Sequence, residues 1–427
     1  MIKQKKNILI FFLIILHHGI HAQDQNRLSL SESYELAKTN YPAIKKLDLI
    51  SKSAEFDIQN ANKRYLPQVS FSGQATYQSQ TVNFGDALGS MPAGIQLPSI
   101  SKDQYRIQGD ISQLLYDGGN IKSQKELINV NNALQTQLVG ANLYTIKQRI
   151  NSLYFSILLM DAQLKQNEIN KSSLQTQVQK TEAALKYGVA YRSNLDELKA
   201  EVANIAMAST EYRSNRTAYL KMLSLFIGKE LPETVRLEQP DGKPSNPEIN
   251  RPELKTFDLQ KTIYDTQEKQ LKSEYLPAVS AFFQGAYGRP TLNIIENKFG
   301  PWYVTGIRFN WNLGSLYSLS NKKSLLNLNR QTVDADRETF LLNTKIDLTQ
   351  QDEQIRKYTD LLVQDEQVIA LRSAVKKSAE AQLDNGVITV HEYIQKVNAE
   401  HLAVQTKILH EIQLLQAKYN HEFITGN

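Results

Sequence analysis

One structural unit is written twice in this 427-residue chain, and that duplication limits what the chain can fold into more than any single motif does. Arg64-Tyr-Leu-Pro-Gln-Val-Ser70 returns as Glu274-Tyr-Leu-Pro-Ala-Val-Ser280, an offset of 210. Ile111-Ser-Gln-Leu-Leu-Tyr-Asp-Gly-Gly119 corresponds to Ile307-Arg-Phe-Asn-Trp-Asn-Leu-Gly-Ser315 at 196, and Tyr187-Gly-Val189 to Asn385-Gly-Val387 at 198. The landmarks keep their order. The fall from 210 to 196 makes the stretch after the first landmark 14 residues longer in the first copy, as surface loops vary. The chain is thereby divided into a leader at 1–22, a first repeat at 23–228, a linker at 229–250 and a second repeat at 251–427. Leu231, Pro232, Pro240, Gly242, Pro244 and Pro247 mark the linker as irregular.

Each copy follows the plan helix, strand, strand, helix, helix. Ser29 and Glu32 have the spacing of a capping box, and the helix they open is expected to reach about Lys63 and stop at Pro67. Its counterpart starts near Pro252 and stops at Pro277. Strands are expected at about 68–78 and 105–115, and again at about 278–287 and 302–313. Long helices are expected at about 121–186 and 194–227, and at 316–384 and 389–423, each pair meeting at Gly188 or Gly386.

The strand segments alternate with period two. Val69, Phe71, Ala75 and Tyr77 are interleaved with Ser70, Ser72, Gln74, Thr76 and Gln78; Tyr105, Ile107 and Ile111 oppose Arg106, Gln108, Asp110 and Ser112. Val279, Phe283 and Tyr287 oppose Ser280 and Gln284, with Phe282 an exception on the polar side, and Ile307, Phe309 and Trp311 oppose Arg308 and Asn310. Each segment has about the ten residues a tilted strand needs to cross a bilayer. One reading is a soluble antiparallel sheet packed on helices. The other sets Val69, Phe71, Tyr77, Ile107, Ile111, Val279, Phe283, Tyr287, Ile307, Phe309 and Trp311 against lipid. Four strands leave two open edges that lipid cannot satisfy, so the second reading requires several chains to pool their strands. Two chains would supply eight and three would supply twelve; periodicity does not choose.

The stretch Ile121–Lys186 holds no proline, and unbroken it would form a helix of about 100 Å. In its counterpart, Leu341, Leu348, Ile355, Leu362 and Ile369 recur every seven residues among positions such as Lys345, Asp352 and Glu366. A strict seven-residue repeat winds helices into a left-handed supercoil, and a narrow apolar seam leaves most of each helix hydrated. A hollow tube of helices and a solid coiled-coil rod both satisfy that pattern.

Mean hydropathy is −0.42, low for a chain of this length. Lys3, Lys5 and Lys6 precede the apolar run Ile8–Leu16, and Ala22 offers a cut before Gln23, so residues 1–22 are expected to be a secretory signal peptide, with a signal anchor as the alternative. Removing those three lysines takes the net charge from +5 to +2, which gives a nucleic-acid partner no electrostatic support. The sequence has no cysteine, hence no disulfide, thiolate metal site or lipid-bearing cysteine. No later segment reaches about 18 consecutive apolar residues, so any membrane contact falls to strands.

This duplicated order resembles the TolC-like outer-membrane factor family: a Tyr-Leu-Pro strand, a strand ending in Tyr116-Asp-Gly-Gly119 or its relic Asn312-Leu-Gly-Ser315, a long helix and a Gly-Val turn. The opening Leu28-Ser-Leu-Ser-Glu-Ser-Tyr-Glu-Leu-Ala37 and Asn40-Tyr-Pro42 are similar to that family's start. The resemblance implies a mainly α fold with a membrane β-barrel: a homotrimer whose 12-stranded barrel in outer-membrane lipid is continued by a 12-helix α-barrel. It implies a passive channel of a tripartite efflux or type I secretion system, opened when a periplasmic adaptor (membrane fusion) protein and an inner-membrane transporter dock. Carried over by position, Gly188, Val189, Gly386 and Val387 form the adaptor-docking turns, and Ser193, Asn194, Glu392 and Gln395 line the periplasmic aperture. The tyrosine and arginine of the archetype's closing links fall on Leu383 and Ile388, so that polar lock is not matched, and the second position of the acidic ring falls on Gln395. In a trimer three Glu392 carboxylates would meet near the axis and attract cations. Glu392 also reads as a solvated first-turn acid favouring its helix N-terminus.

No catalytic constellation is present. His391, His401, His410 and His421 lie ten, nine and eleven apart and do not repeat the i, i+4 pairing of helical metal sites. There is no phosphate loop or nucleophile elbow, so no enzyme activity, cofactor or metal is expected. The alternative from another class is a periplasmic coiled-coil structural or adaptor protein without a pore.

Overall fold

A computed structural model describes residues 27–82, 100–242, 248–294 and 296–427. The expected signal peptide, Pro244 and Pro247 of the linker, and most of the first-copy loop lie outside these residues. In chain order the elements are β1 (Arg27–Leu28), α1 (Leu30–Asn40), a 3-10 turn (Pro42–Ile44), α2 (Lys45–Lys63), β2 (Gln68–Tyr77), β3 (Asp103–Tyr116), α3 (Asn120–Lys186), α4 (Arg192–Ile227), β4 (Arg236–Leu237), α5 (Pro252–Glu274), β5 (Ala278–Arg289), β6 (Gly300–Asn310), a 3-10 segment (Leu313–Ser318), α6 (Leu319–Asp384) and α7 (Val390–Thr425). They fall into two compact units. One is drawn from residues up to Lys46, 138–254 and 338–427, and the other from 47–137 and 255–337. No helix among the described residues is long and apolar enough to cross a membrane.

The second of these units carries an antiparallel sheet in the order β2-β3-β5-β6, so the two copies meet at β3 and β5. Among the described residues β2 and β6 each have one neighbour, which leaves an unpaired edge on either side. Leu115 is an extra residue at a bulge between Leu114 and Tyr116. At the foot of β3 the Asp117 carboxylate accepts the amides of Gly119 at 2.9 Å and Ile121 at 2.7 Å, satisfying two of the orphan donors that open the 67-residue α3.

Three elements differ from the sequence reading. The first helix does not run unbroken to Lys63: Pro42 forces Tyr41 into extended backbone at ψ 131°, which ends α1 and starts a 3-10 turn before α2. β6 ends at Asn310, because its partner β5 begins at Ala278 after Pro277, whose missing N–H ends the ladder. α6 begins at Leu319, because the relic Asn312-Leu-Gly-Ser315 has no aspartate at the position equivalent to Asp117, and the chain spends Leu313–Ser318 in 3-10 turns.

In the other unit, Ile150, Tyr154, Phe155 and Ile157 of α3 pack with Leu220, Leu223 and Ile227 of α4 and with Leu28 and Leu30. Tyr154 organises this core. Its hydroxyl lies 2.8 Å from the Leu28 carbonyl oxygen and 2.7 Å from that of Glu238, so one phenol holds β1 and the end of β4, which pair in parallel. Burial raises its pKa far above the usual tyrosine value and keeps it a donor. Arg216 completes the tie, donating to Asp161 at 2.5 Å and to the carbonyls of Glu233 and Val235 at 2.6 and 2.7 Å. The segment expected to be an irregular linker is therefore held against α4 up to β4, with Val235 only 3% exposed.

Replacing Tyr154 with Phe removes the donor that two carbonyls share and should cost about 1–3 kcal/mol locally. The loss should appear as faster amide exchange at Glu238, whose N–H donates to Leu28. Unchanged exchange there would show that the hydroxyl does not hold the pair.

Candidate functional site

Two surfaces carry the residues singled out by sequence, and each lies within one unit. On the sheet, the register aligns the apolar positions in rows: Val69 beside Ile111 beside Phe283, Phe71 beside Gly109 beside Gly285 beside Tyr303, and Ile107 beside Tyr287. Val279 pairs with Phe309, and Ala281 with Ile307. Val69, Phe71, Tyr77, Ile107, Ile111, Phe283, Tyr287, Ile307 and Phe309 are exposed in the single chain, Phe71 by 82% and Ile307 by 73%, while Val279 is half-buried. Trp311 lies just past the strand, edge-on to Phe309 at 6.4 Å, with its indole N–H donated to the Tyr275 carbonyl at 3.0 Å. Monomeric soluble domains rarely leave an apolar surface of this extent to water. Facing Gly109 and Gly285 leave a shallow apolar depression bounded by Phe71, Ile107 and Phe283.

The opposite face is polar. Asp110 accepts from Gln108 at 2.6 Å and Gln284 at 2.7 Å, and Arg106 donates to Gln74 at 3.1 Å. Phe282, the exception in the alternation, is covered by the Arg308 guanidinium 4.7 Å from its ring centre, next to Gly306 on the paired strand.

The two helical turns share one geometry. Gly188 at φ 76° and Gly386 at φ 71° sit two positions past the last helical residue; their amides donate to Leu185 and Leu383, and those of Val189 and Val387 to Ala184 and Gln382. Both are Schellman closures, which require the left-handed backbone that glycine adopts freely. Val189 and Val387 are then held out in the open, 78% and 71% exposed, with Tyr187 and Tyr191 beside the first. Behind the turns, Leu174, Leu198, Ile205, Val390, Tyr393 and Val397 form an apolar cluster against which Leu383 and Ile388 pack. Leu383 and Ile388 are thus partly buried against this chain's own apolar interior. Burial, then Glu380 and Asp384, pushes the Tyr393 phenol up to about 12.

Ser193, Glu392 and Gln395 are exposed and Asn194 is half-buried. Glu392 is part of a complete capping box: it accepts from the Thr389 amide at 2.8 Å and hydroxyl at 3.0 Å, while its own amide donates to Thr389 Oγ1 at 3.2 Å. These bonds hold its carboxyl below the usual carboxylate value, so the cap is complete above pH 4.5 and weakens as pH falls through the lower folded value. The Thr-x-x-Glu spacing of Thr389 and Glu392 is the sequence signal for it. A second contact has no local signal: His391 Nδ1 lies 2.5 Å from Glu197 Oε1 of α4, and its Nε2 lies 2.9 Å from Gln395 Nε2. This contact joins α4 to α7 near the turns. No group of three or more His, Cys, Asp or Glu among the described residues is arranged to hold a metal ion.

Long paired helices, Schellman turns and an amphipathic four-stranded sheet define the fold of TolC-like channels. The fold matches solved structures of the outer-membrane channel CusC (TM-score 0.65, 13% identity, 92% of this chain and 91% of that one), Campylobacter jejuni CmeC (0.60, 12%, 93% and 86%) and Neisseria gonorrhoeae MtrE in its open state (0.63, 11%, 93% and 89%). No curated protein matches in sequence. The family model described as outer membrane efflux protein matches residues 33–229, the first repeat, and over that stretch the chain is similar to that family. The family is one of channel proteins rather than enzymes.

A Cβ added at Gly188 or Gly386 would meet nothing within 4 Å, so replacing either with Ala tests backbone conformation alone. Each change should destabilise its turn by about 1–2 kcal/mol, and Asn should cost less than Ala. Amide-exchange protection in the last turns of α3 and α6 reads the loss; equal protection in the Ala variants would refute the left-handed closure.

Proposed function

We propose that this chain is the outer-membrane channel subunit of a tripartite efflux or type I secretion system, acting as a homotrimer that passively conducts cargo from an inner-membrane pump. One observation carries the reading: an amphipathic sheet with an exposed apolar face and two unpaired edges, which becomes stable in lipid only when further copies pair with those edges. Three copies close a twelve-stranded barrel with the Phe71 face to lipid and the Gln108 and Asp110 face to water. Three sets of helices form the periplasmic tunnel. The heptad residues Leu341, Leu348, Ile355, Leu362 and Ile369 are half-buried in one chain, and a second stripe on α6 that includes Leu325, Leu328, Leu342, Ile346, Leu371 and Val375 is exposed, which supports neighbouring copies. Secretion by the signal peptide at 1–22 delivers the chain without a lipid anchor. Gly188, Val189, Gly386 and Val387 present apolar tips to a periplasmic adaptor, and Ser193, Asn194, Glu392 and Gln395 border the aperture.

Replacing Phe283 or Ile307 with Arg should weaken assembly by about 2–4 kcal/mol for a site near the bilayer middle. Heat-resistant trimers on detergent gels read this, and unchanged trimers would reverse the facing assignment. A water-soluble monomer without conductance would leave the pore-less periplasmic reading in its place.

Glu392→Gln keeps a capping acceptor and removes the charge. Single-channel block by divalent cations should therefore weaken while the turn stays folded. An identical block curve would remove Glu392 from the aperture.

A further inference from the structure

Four histidines lie along α7, and three of them are tied to a carboxylate: His391 to Glu197 of α4, His410 to Asp365 of α6 at 2.6 Å, and His421 to Asp352 of α6 at 3.3 Å. His401 is the exception. Among the described residues, its Nδ1 is buried without a hydrogen-bond partner. α7 runs against α3, since Tyr419 meets Phe155 and Gln405 meets Asn167. One helical turn nearer to Gly188 and Gly386, the same alignment brings His401 level with Asn170 of α3. Asn170 is 4% exposed, and neither its amide nitrogen nor its oxygen has a partner among the described residues. Asn167 differs: it accepts from Gln405 at 3.1 Å and donates to Ser209 of α4 at 3.1 Å, so both ends of its amide are satisfied.

This polar stretch divides two apolar clusters of the same unit. On one side Leu174, Ile205 and Val397 pack behind the turns; on the other, Ile157, Leu220 and Ile412 belong to the core around Tyr154. A buried amide without partners forfeits its hydrogen bonds to water, so the helices are held least firmly between the clusters. A charge placed there costs more still. Burial lowers the His401 pKa below the usual histidine value; Glu400 and Glu201 of α4 favour the proton, and Lys376 of α6, paired to Glu400 at 3.1 Å, opposes it. Asn167 and Asn170, which α3 buries here, carry no charge. The stability that a neutral His401 contributes is therefore complete above about pH 6.5 and is lost as pH falls through the lower folded value.

We propose that Asn170 and His401 form a weak, proton-sensitive layer at which α7 loosens from α3 and α4 on acidification. The layer lies within one unit of a single chain and does not rest on the channel reading; under that reading, acid would free the turn end of the helices to bend about it.

The test is hydrogen exchange of the purified full-length protein, read by mass spectrometry over α7 peptides that contain His401 and corrected for intrinsic rates. From about pH 7.5 to about pH 5.5 the local opening constant should rise by up to about ten-fold, the limit for one imidazole that regains its ordinary value on opening. His401→Gln should remove that rise. The other three histidines are common to both proteins, so the difference belongs to His401. If His401→Gln does not fold, His401→Leu, equally unable to take a proton, replaces it. Asn170→Leu strands no partner and should slow exchange there about ten-fold at either pH, whereas Asn167→Leu strands Ser209 and Gln405 and should speed it. An opening constant that ignores pH, a rise that survives loss of the imidazole, or faster exchange in Asn170→Leu would each overturn the layer. Acid-sensitive exchange in a protein that conducts nothing would refute the channel and leave the layer standing.

Discussion

A backbone amide or carbonyl facing hydrocarbon has nowhere to place its hydrogen bond, and that cost governs this molecule more than any side-chain contact does. The sheet β2-β3-β5-β6 satisfies its inner strands and, among the described residues, leaves two rows of unpaired groups. In water such edges are tolerable but invite pairing. In lipid they are not tolerable at all, and lipid is where the proposed channel would place the exposed face carrying Phe71, Ile107, Phe283, Ile307 and Phe309. The apolar face and the open edges therefore make opposite demands on a single chain, and the proposed pooling of strands between copies would meet both. Duplication shares the task, since each copy supplies one hairpin and the two meet at β3 and β5.

The helices obey a related economy. A solid bundle buries a broad stripe of each helix, whereas a wall one helix thick buries two narrow seams and leaves both its faces wet. α6 carries half-buried heptad positions on one line and exposed Leu342, Ile346 and Leu371 on another, as the proposed tunnel wall would need. This accounts for the low mean hydropathy and the abundance of Gln and Asn without invoking disorder.

Patterns carried by neighbouring residues were legible in the sequence, and patterns carried by distant ones were not. Alternation from Val69 to Tyr77 dictated a strand because both of its faces are written locally. The break at Pro42 was equally local, but the capping spacing of Ser29 and Glu32 drew attention to where a helix starts rather than to the restriction proline places on Tyr41. Where β6 ends depends on Pro277, more than thirty residues away, and what covers Phe282 depends on Arg308 across the ladder. The Tyr154 hydroxyl reaches Leu28 and Glu238, and His391 reaches Glu197, with no periodicity to announce either.

The turns show how one architecture can be held by different forces. A polar link near an aperture can be broken by exchanging one hydrogen-bonding partner for another or for water, so it suits a contact that must open. Leu383 and Ile388 offer no such exchange, because separating them from Leu174, Val390 and Val397 exposes apolar surface and gains nothing in return. The helical pairs behind the turns should therefore move as rigid bodies. What remains exchangeable at this end is the exposed polar set: Glu392 in its cap with Thr389, and His391 between Glu197 and Gln395. Under the channel reading proposed above, an opening that spares the apolar cluster would pass through those contacts or through contacts between copies.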